Sequence, residues 1–326
     1  MKKLLLVLIS IVISITACST SNEAEVSRTG FHLGTVISIT VYGGQGENSL
    51  DAAFKEIDRL EAILSKKIEG SDIYKINNNA GLEKVELQPE TMVILAESLK
   101  YNEKSNGYFD ITIGPLVDLW KIGTVEAALP SKDAIESALG LVNIEKFDFC
   151  CNTAFLTEPL MSIDTGGIAK GFIADRIAEI LKNEGCSGAI INLGGNVLTL
   201  GNKPDGSKWK IGIQDPFKAI GNYMEIVKVE EMSVVTSGPY ERNFEEDGVL
   251  YHHILDPFTG YPVVNNIVGV TIISEKSIDG DGLSTSVFAM GVEEGLALIE
   301  KTDNTEGYIV LDDGTIIMST GFSEYL

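Results

Sequence analysis

Cations are scarce in this chain: 25 Lys and Arg stand against 47 Asp and Glu, a formal net charge of −22 at pH 7. Electrostatics therefore disfavour a nucleic-acid or anionic-headgroup partner. The same surface repels a polyanionic substrate unless a helix N-terminus or a divalent cation reverses the field locally. Cysteine is nearly as sparse, with four in 326 residues and none at zinc-finger spacing. That excludes a disulfide framework and leaves any metal to oxygen ligands. Beyond Cys18, the adjacent pair Cys150 and Cys151 and the distant Cys186 are expected to be buried, inert thiols. Histidine is limited to three residues, and no Ser-His-Asp or His-x-x-x-His spacing is visible. Internal repeats are absent, and only one long apolar run exists.

That run, Leu4 to Ala17, follows Lys2 and Lys3 and ends at Cys18. It has the layout of an export leader rather than of a membrane span. A small residue directly before a cysteine is the ending of bacterial lipoprotein signals, so residues 1–18 are read as a leader ending at a lipidated Cys18. Residues 19–29 are read as a flexible polar tether, and 30–326 as the folded domain. The protein is then expected to be exported and held by lipid to the outward face of the membrane. Loss of Lys2 and Lys3 with the leader takes the charge from −22 to about −24, so anchoring must come from lipid rather than from charge.

His32 to Tyr42 alternates β-branched residues and reads as a strand. Ser49 opens a helix carrying Phe54, Ile57, Leu60 and Leu64 at helical spacing, and Pro89 opens another with Met92, Leu95 and Leu99. A third runs from Ile168 to about Gly185. Strands are predicted over Ala189–Leu193, Trp209–Ile213, Met224–Val229, Tyr251–Leu255 and Ile267–Ile273, with a final helix from about Ser284 to Glu300. A closing hairpin turns at Asp312–Gly314. The short linkers favour antiparallel neighbours, giving an α+β fold of mainly antiparallel sheet flanked by helices.

Three loops carry possible chemistry. "SIDTGGIAKG", Ser162 to Gly171, sets Gly166 and Gly167 at a helix start, where free N–H groups and the helix dipole suit an anion. It matches neither GxxxxGK[ST] nor GxGxxG. A glycine pair there also serves as a plain tight turn, with Asp164 as a cap. "SIDGDGLSTS", Ser277 to Ser286, places Asp279, Asp281, Ser284 and Thr285 around glycines; hard oxygens at i and i+4 suit Mg2+ or Ca2+, though the segment also reads as a helix-capping loop. "YHHILDPFTGYP", Tyr251 to Pro262, holds His252 and His253, either of which could be structural or a general base. "GYFDITIGPLVDLWKIG", Gly107 to Gly123, reads as core or as a wall against a flat ring.

In order along the chain, "LGT" at Leu33, "LSKKIEGSDIYKIN" at Leu64, "FDITIGPLVDLW" at Phe109, "IDTGGIAKGFIADR" at Ile163, "INLGGN" at Ile191, "TSGPYER" at Thr236, "HHILDPFTGYP" at His252 and "DGLSTSVFAMG" at Asp281 closely resemble the ApbE family. Its members are FAD:protein FMN transferases, and the resemblance spans nearly the whole mature chain. It implies an ApbE-like fold and Mg2+-dependent cleavage of the FAD pyrophosphate. FMN would pass to a Thr or Ser hydroxyl of an acceptor flavoprotein, with release of AMP. Hydrolysis of FAD to FMN and AMP and flavin binding without catalysis are the alternatives. The implied metal ligands are the Gly167 carbonyl, the Asp281 carboxylate and the Thr285 hydroxyl, with His253 as base and Asp281 also catalytic. Positions matching FAD contacts are Leu33, Phe109, Asp110, Ile111, Asp164, Lys170 and Leu255. Lys67 stands where many relatives have an aromatic or amide near the flavin ring, and Thr165 where an apolar residue is usual. Implied acceptors are membrane redox complexes of the Rnf or sodium-pumping NADH:quinone reductase kind, or extracellular electron-transfer proteins.

Overall fold

A computed structural model describes residues 25–219 and 221–326. The leader, Cys18 and residues 19–24 lie outside the described residues. Fifteen strands are described: β1 (Glu25–His32), β2 (Thr35–Gly43), β3 (Val85–Glu86), β4 (Phe147–Cys150), β5 (Thr153–Leu156), β6 (Cys186–Leu193), β7 (Asn196–Gly201), β8 (Trp209–Gln214), β9 (Tyr223–Val229), β10 (Ser233–Ser237), β11 (Asn243–Glu246), β12 (Val249–His252), β13 (Ile267–Ser274), β14 (Thr305–Leu311) and β15 (Ile316–Met318). The helices are α1 (Glu47–Leu64), α2 (Asp72–Asn78), α3 (Pro89–Lys104), α4 (Gly114–Trp120), α5 (Lys132–Leu139), α6 (Ala169–Asn183), α7 (Ser277–Met290) and α8 (Val292–Glu300).

Eight strands form one sheet in the order β1-β2-β6-β7-β10-β13-β14-β15, and every neighbouring pair is antiparallel. The expected mainly antiparallel α+β fold is therefore the one observed. Helix α1 shows why its sequence packs as it does: Leu50, Phe54, Ile57, Leu60 and Leu64 recur every three or four residues and are buried together. They join α6, α7 and one face of the large sheet in the main core. Across the sheet, Trp209, Ile211, Val227 and Val229 of the β8–β9 hairpin build a second core with Tyr308 and Phe322. A third, small core gathers Leu116, Trp120, Ile135 and Leu255.

Three expectations need correction. Residues 25–29 are not tether but strand, since β1 begins at Glu25 and pairs with β2 from Glu25↔Tyr42 onward. The final helix does not begin near Ser284. It begins at Ser277 as α7 and is broken from α8 at Gly291, whose φ of 88 no ordinary side chain adopts comfortably. "SIDGDGLSTS" looked like a loop because Gly, Ser and Asp are weak helix formers. Its small residues instead let α7 pass through the interior with nearly every side chain buried. Where α6 crosses it, a Cβ on Gly171 would lie 2.3 Å from the Ser277 carbonyl oxygen, so only glycine fits. Finally, Cys186 is buried as expected, but Cys150 and Cys151 are exposed, at the turn joining β4 and β5.

Candidate active site

The two middle helices cap each other. Asp281, in the second turn of α7, accepts the Gly171 N–H of α6 through Oδ2 at 2.9 Å. In return Asp175 of α6 accepts the first N–H groups of α7, from Ser277 at 2.7 Å and Ile278 at 3.0 Å. Each carboxylate satisfies donors that a helix start leaves open. Thr285 follows Asp281 by one turn and so shares its face. Gly167 is its neighbour across the gap, a Cβ there falling 3.6 Å from Thr285 Oγ1 and 3.1 Å from the Phe109 ring.

Asp281, Thr285, Gly167 and Phe109 wall a cavity of about 210 Å³ that also takes in Asp110, Ile111, Asp164, Lys170, Glu241, Arg242, His253 and Leu255. Ten of the sequence-predicted positions thus meet in one place. Leu33 and Lys67 do not line it. Leu33 sits at the β1–β2 turn, its N–H donated to Glu61, and Lys67 is exposed. The preceding residue, Lys66, is the one that reaches inward, with Nζ 2.7 Å from both Asp164 and Asp118. Nothing in the spacing of "LSKKIEG" distinguishes the two lysines; only the end of α1 at Leu64 sets which points inward.

The aromatic segment divides between its two readings. Leu116 and Trp120 are core, with Trp120 Nε1 donating to the Gly260 carbonyl at 2.9 Å. Tyr108, Phe109, Ile111, Ile113, Val117 and Ile122 are cavity wall. Asp110 faces the cavity and accepts both the N–H and hydroxyl of Thr112; burial raises its pKa against those bonds. Thr165, where the family usually has an apolar residue, is buried.

A free-anion cradle at the glycine pair does not survive the geometry. Gly166 N–H is given to Asp164 Oδ1 at 2.8 Å, and Gly171 N–H is given to Asp281. Carboxylates already occupy these donors, so the entrance to α6 suits a cation or a cation-bound phosphate better than a bare anion. Burial drives the Asp281 pKa upward, opposed chiefly by Lys170 and the Gly171 N–H. Such a carboxylate gains most from a cation that removes the cost of its buried charge. Among the described residues no three His, Cys, Asp or Glu side chains gather around a metal position. The oxygen set here is one carboxylate, one hydroxyl and one backbone carbonyl, a donor chemistry that fits Mg2+.

The adjacent histidines have different fates. His252 is buried, with Nε2 3.0 Å from the Val263 carbonyl and Nδ1 accepting the Ile254 N–H at 3.3 Å. Both ring nitrogens are occupied, so it is structural. Strand β12 ends at His252, short of the expected Leu255, and His253 leaves the ladder to face the cavity. Its Nδ1 lies 3.3 Å from the Arg242 carbonyl. A carbonyl only accepts, so Nδ1 carries the hydrogen and Nε2 keeps its lone pair. Its surroundings, and then Arg242, His252 and Lys170, pull its pKa to about 3, keeping the ring neutral.

Antiparallel α+β architecture around this cavity is that of the flavin transferases. The chain superposes on the flavin transferase ApbE of Vibrio cholerae with a TM-score of 0.84 at 26% identity, covering 93% of this chain and 100% of that one. On the ApbE protein of Thermotoga maritima the TM-score is 0.85 at 32% identity, covering 93% and 99%. The chain belongs to the ApbE family, whose sequence model matches residues 33–309. Among similar sequences, the FAD:protein FMN transferase of Treponema pallidum is 33% identical over 97% of this chain and 92% of its own. One from Klebsiella pneumoniae is 36% identical over 92% and 93%.

Proposed function

We propose that this chain is an FAD:protein FMN transferase that places FMN on a Thr or Ser hydroxyl of an acceptor flavoprotein. The carrying observation is the meeting of buried Asp281 and half-buried Thr285 and Gly167 with a neutral His253 in one cavity. In the reaction, the acceptor oxygen bonds to the FMN phosphorus and the bond from that phosphorus to the bridging oxygen breaks. The bridging oxygen leaves with AMP. His253 Nε2 receives the hydroxyl proton, its lone pair being available throughout the neutral range. Lys170 offers fixed positive charge to the pyrophosphate, and Lys66 holds Asp164 at the cavity wall. The aromatic wall from Tyr108 to Ile111 excludes water and orients a flat ring. Asp281, Thr285 and the Gly167 carbonyl would hold Mg2+, which when bound neutralises charge growing on the pyrophosphate.

Export and lipid anchoring through Cys18 would place this chemistry on the outward face of the membrane. Acceptor domains of Rnf-type or sodium-pumping reductases, or of extracellular electron-transfer proteins, are there within reach. The test is mass spectrometry of such a domain after incubation with the protein lacking residues 1–18, FAD and Mg2+, with AMP and free FMN quantified alongside. A gain of one FMN that needs both metal and Asp281 is expected. AMP and free FMN with every acceptor unmodified would make the protein an FAD pyrophosphatase; FAD bound but intact would make it a flavin carrier.

A further inference from the structure

Behind the cavity, a line of side chains that takes no direct part in the chemistry leads to the Asp281 carboxylate. Asn196, the first residue of β7, is 1% exposed and held from both sides by its strand neighbours Leu193 and Val235. Its Oδ1 lies 2.6 Å from the Ser277 hydroxyl, which in turn lies 3.0 Å from the hydroxyl of Ser233. Both serines are fully buried. Asn196 Nδ2 is buried without a hydrogen-bond partner, and the Ser277 that binds its oxygen stands one turn before Asp281 on α7, so the amide lies on the side of the helix that carries the carboxylate.

Two arguments fix which way the amide points. Ser277 has one hydroxyl hydrogen; with Ser233 donating to it, that hydrogen goes to Asn196, which must present oxygen. The reverse orientation would set Oδ1 against the Asp281 carboxylate, acceptor facing acceptor in a buried site. A buried amide N–H2 without a partner is costly, and it persists where it serves a neighbour.

We infer that Asn196 is a positioning residue for Asp281. Its amide, oriented by the hydroxyl line Ser233–Ser277, joins the Gly171 N–H in fixing how the carboxylate presents its remaining lone pairs to the cavity. The inference rests on the reading of Asp281 as a metal ligand. It also ties that ligand to the sheet through β7 and β10, and to α6 through Asp175, which accepts the N–H of the same Ser277.

The experiment is calorimetric titration of Mg2+ alone onto the full-length chain in detergent, for the parent, Asn196→Ala, Ser277→Ala and the double variant, with Asp281→Ala as the reference for a lost ligand. Thermal unfolding of each variant is recorded alongside. Second-sphere partners of metal ligands typically carry about 10- to 100-fold in affinity. Asn196→Ala is expected to weaken Mg2+ binding within that range while still unfolding cooperatively. Ser277→Ala, which leaves Asn196 present but frees its amide to rotate, is expected to weaken binding several-fold, and to add nothing in the Asn196→Ala background. Parent-like Mg2+ affinity in folded Asn196→Ala, or simple additivity of the two substitutions, overturns the inference while leaving the metal reading intact. A parent that binds no better than Asp281→Ala overturns both.

Discussion

Asp281 and Asp175 do the same structural task for opposite helices, and they differ in what lies beyond. Each caps the first turn of its neighbour, Asp281 at Gly171 and Asp175 at Ser277 and Ile278. Asp281 opens onto the cavity with Thr285, Lys170 and His253. Asp175 opens onto a separate space of about 390 Å³ lined by Lys100, Arg176, Lys276 and several acids, with no histidine in its wall. Two carboxylates with the same capping task thus differ in what their surroundings let them reach, not in their hydrogen bonds.

Substitutions that separate these two roles test the comparison. The largest effect is expected from Asp281→Ala, which should abolish FMN transfer, about 10³-fold or more, since it removes a whole anionic ligand. Transfer that survives at a tenth of the parent rate would place the chemistry elsewhere. His253→Gln comes next, with a loss of about 10²- to 10⁴-fold in turnover at unchanged thermal stability. In the parent, a ring held near pKa 3 stays unprotonated, so single-turnover transfer is expected to persist on the acid side of pH 6.5. A rate halving at pH 6.5 that disappears in the Gln variant would refute this.

Asp175→Asn should act on stability instead. Burial raises the Asp175 pKa to about 7, with Asp279 adding to the rise and the two amides and Lys276 opposing it. A carboxyl that binds protons more tightly when folded favours the fold at low pH, and that contribution is lost as pH climbs through 7. Denaturant unfolding between pH 4 and 8 is expected to show the parent losing roughly 3 kcal/mol that the Asn variant does not lose. Parallel curves would mean that Asp175 is ionised throughout. His252→Gln is expected to cost about 1–3 kcal/mol of stability through unmet buried partners, with turnover of the folded enzyme unchanged. Smallest of all, Lys67→Ala should leave the KM for FAD within about twofold, whereas Lys66→Ala should raise it; equal effects would erase the distinction between an exposed lysine and one paired with Asp164.

Much of this was legible in the sequence, for identifiable reasons. Helices α1 and α3 announce themselves by apolar spacing, and the strands by β-branched runs between turn residues. Asp281 and Thr285 stand among the oxygen side chains that the segment offers, and the family resemblance picks them out, although the segment itself reads as a loop. What made it a helix is tertiary: Asp175 caps it from 102 residues away, and Gly171 lets it approach. Periodicity carries no trace of such partners. The same limit explains Lys66 and Lys67, where the inward choice is made by the end of a helix, and β1, whose mixed residues alternate in burial only once the strand is paired with β2. Conversely, the turn into α6 at Gly166–Gly167 is legible in the sequence, but its donors are taken by carboxylates, one from Asp164 inside the motif and one from Asp281 110 residues away.

Reciprocal capping has a kinetic meaning as well. Amide hydrogens at Gly171, Ser277 and Ile278 are each held by a carboxylate of the opposite helix, so none is freed by fraying of its own helix alone. Exchange with solvent at all three requires α6 and α7 to part together, in the heart of the main core. These amides are therefore expected to exchange as one slow, correlated group. Asp281, held in this way, keeps the lifetime of the deepest core, which it shares with Phe109 and Ile111 of the cavity wall.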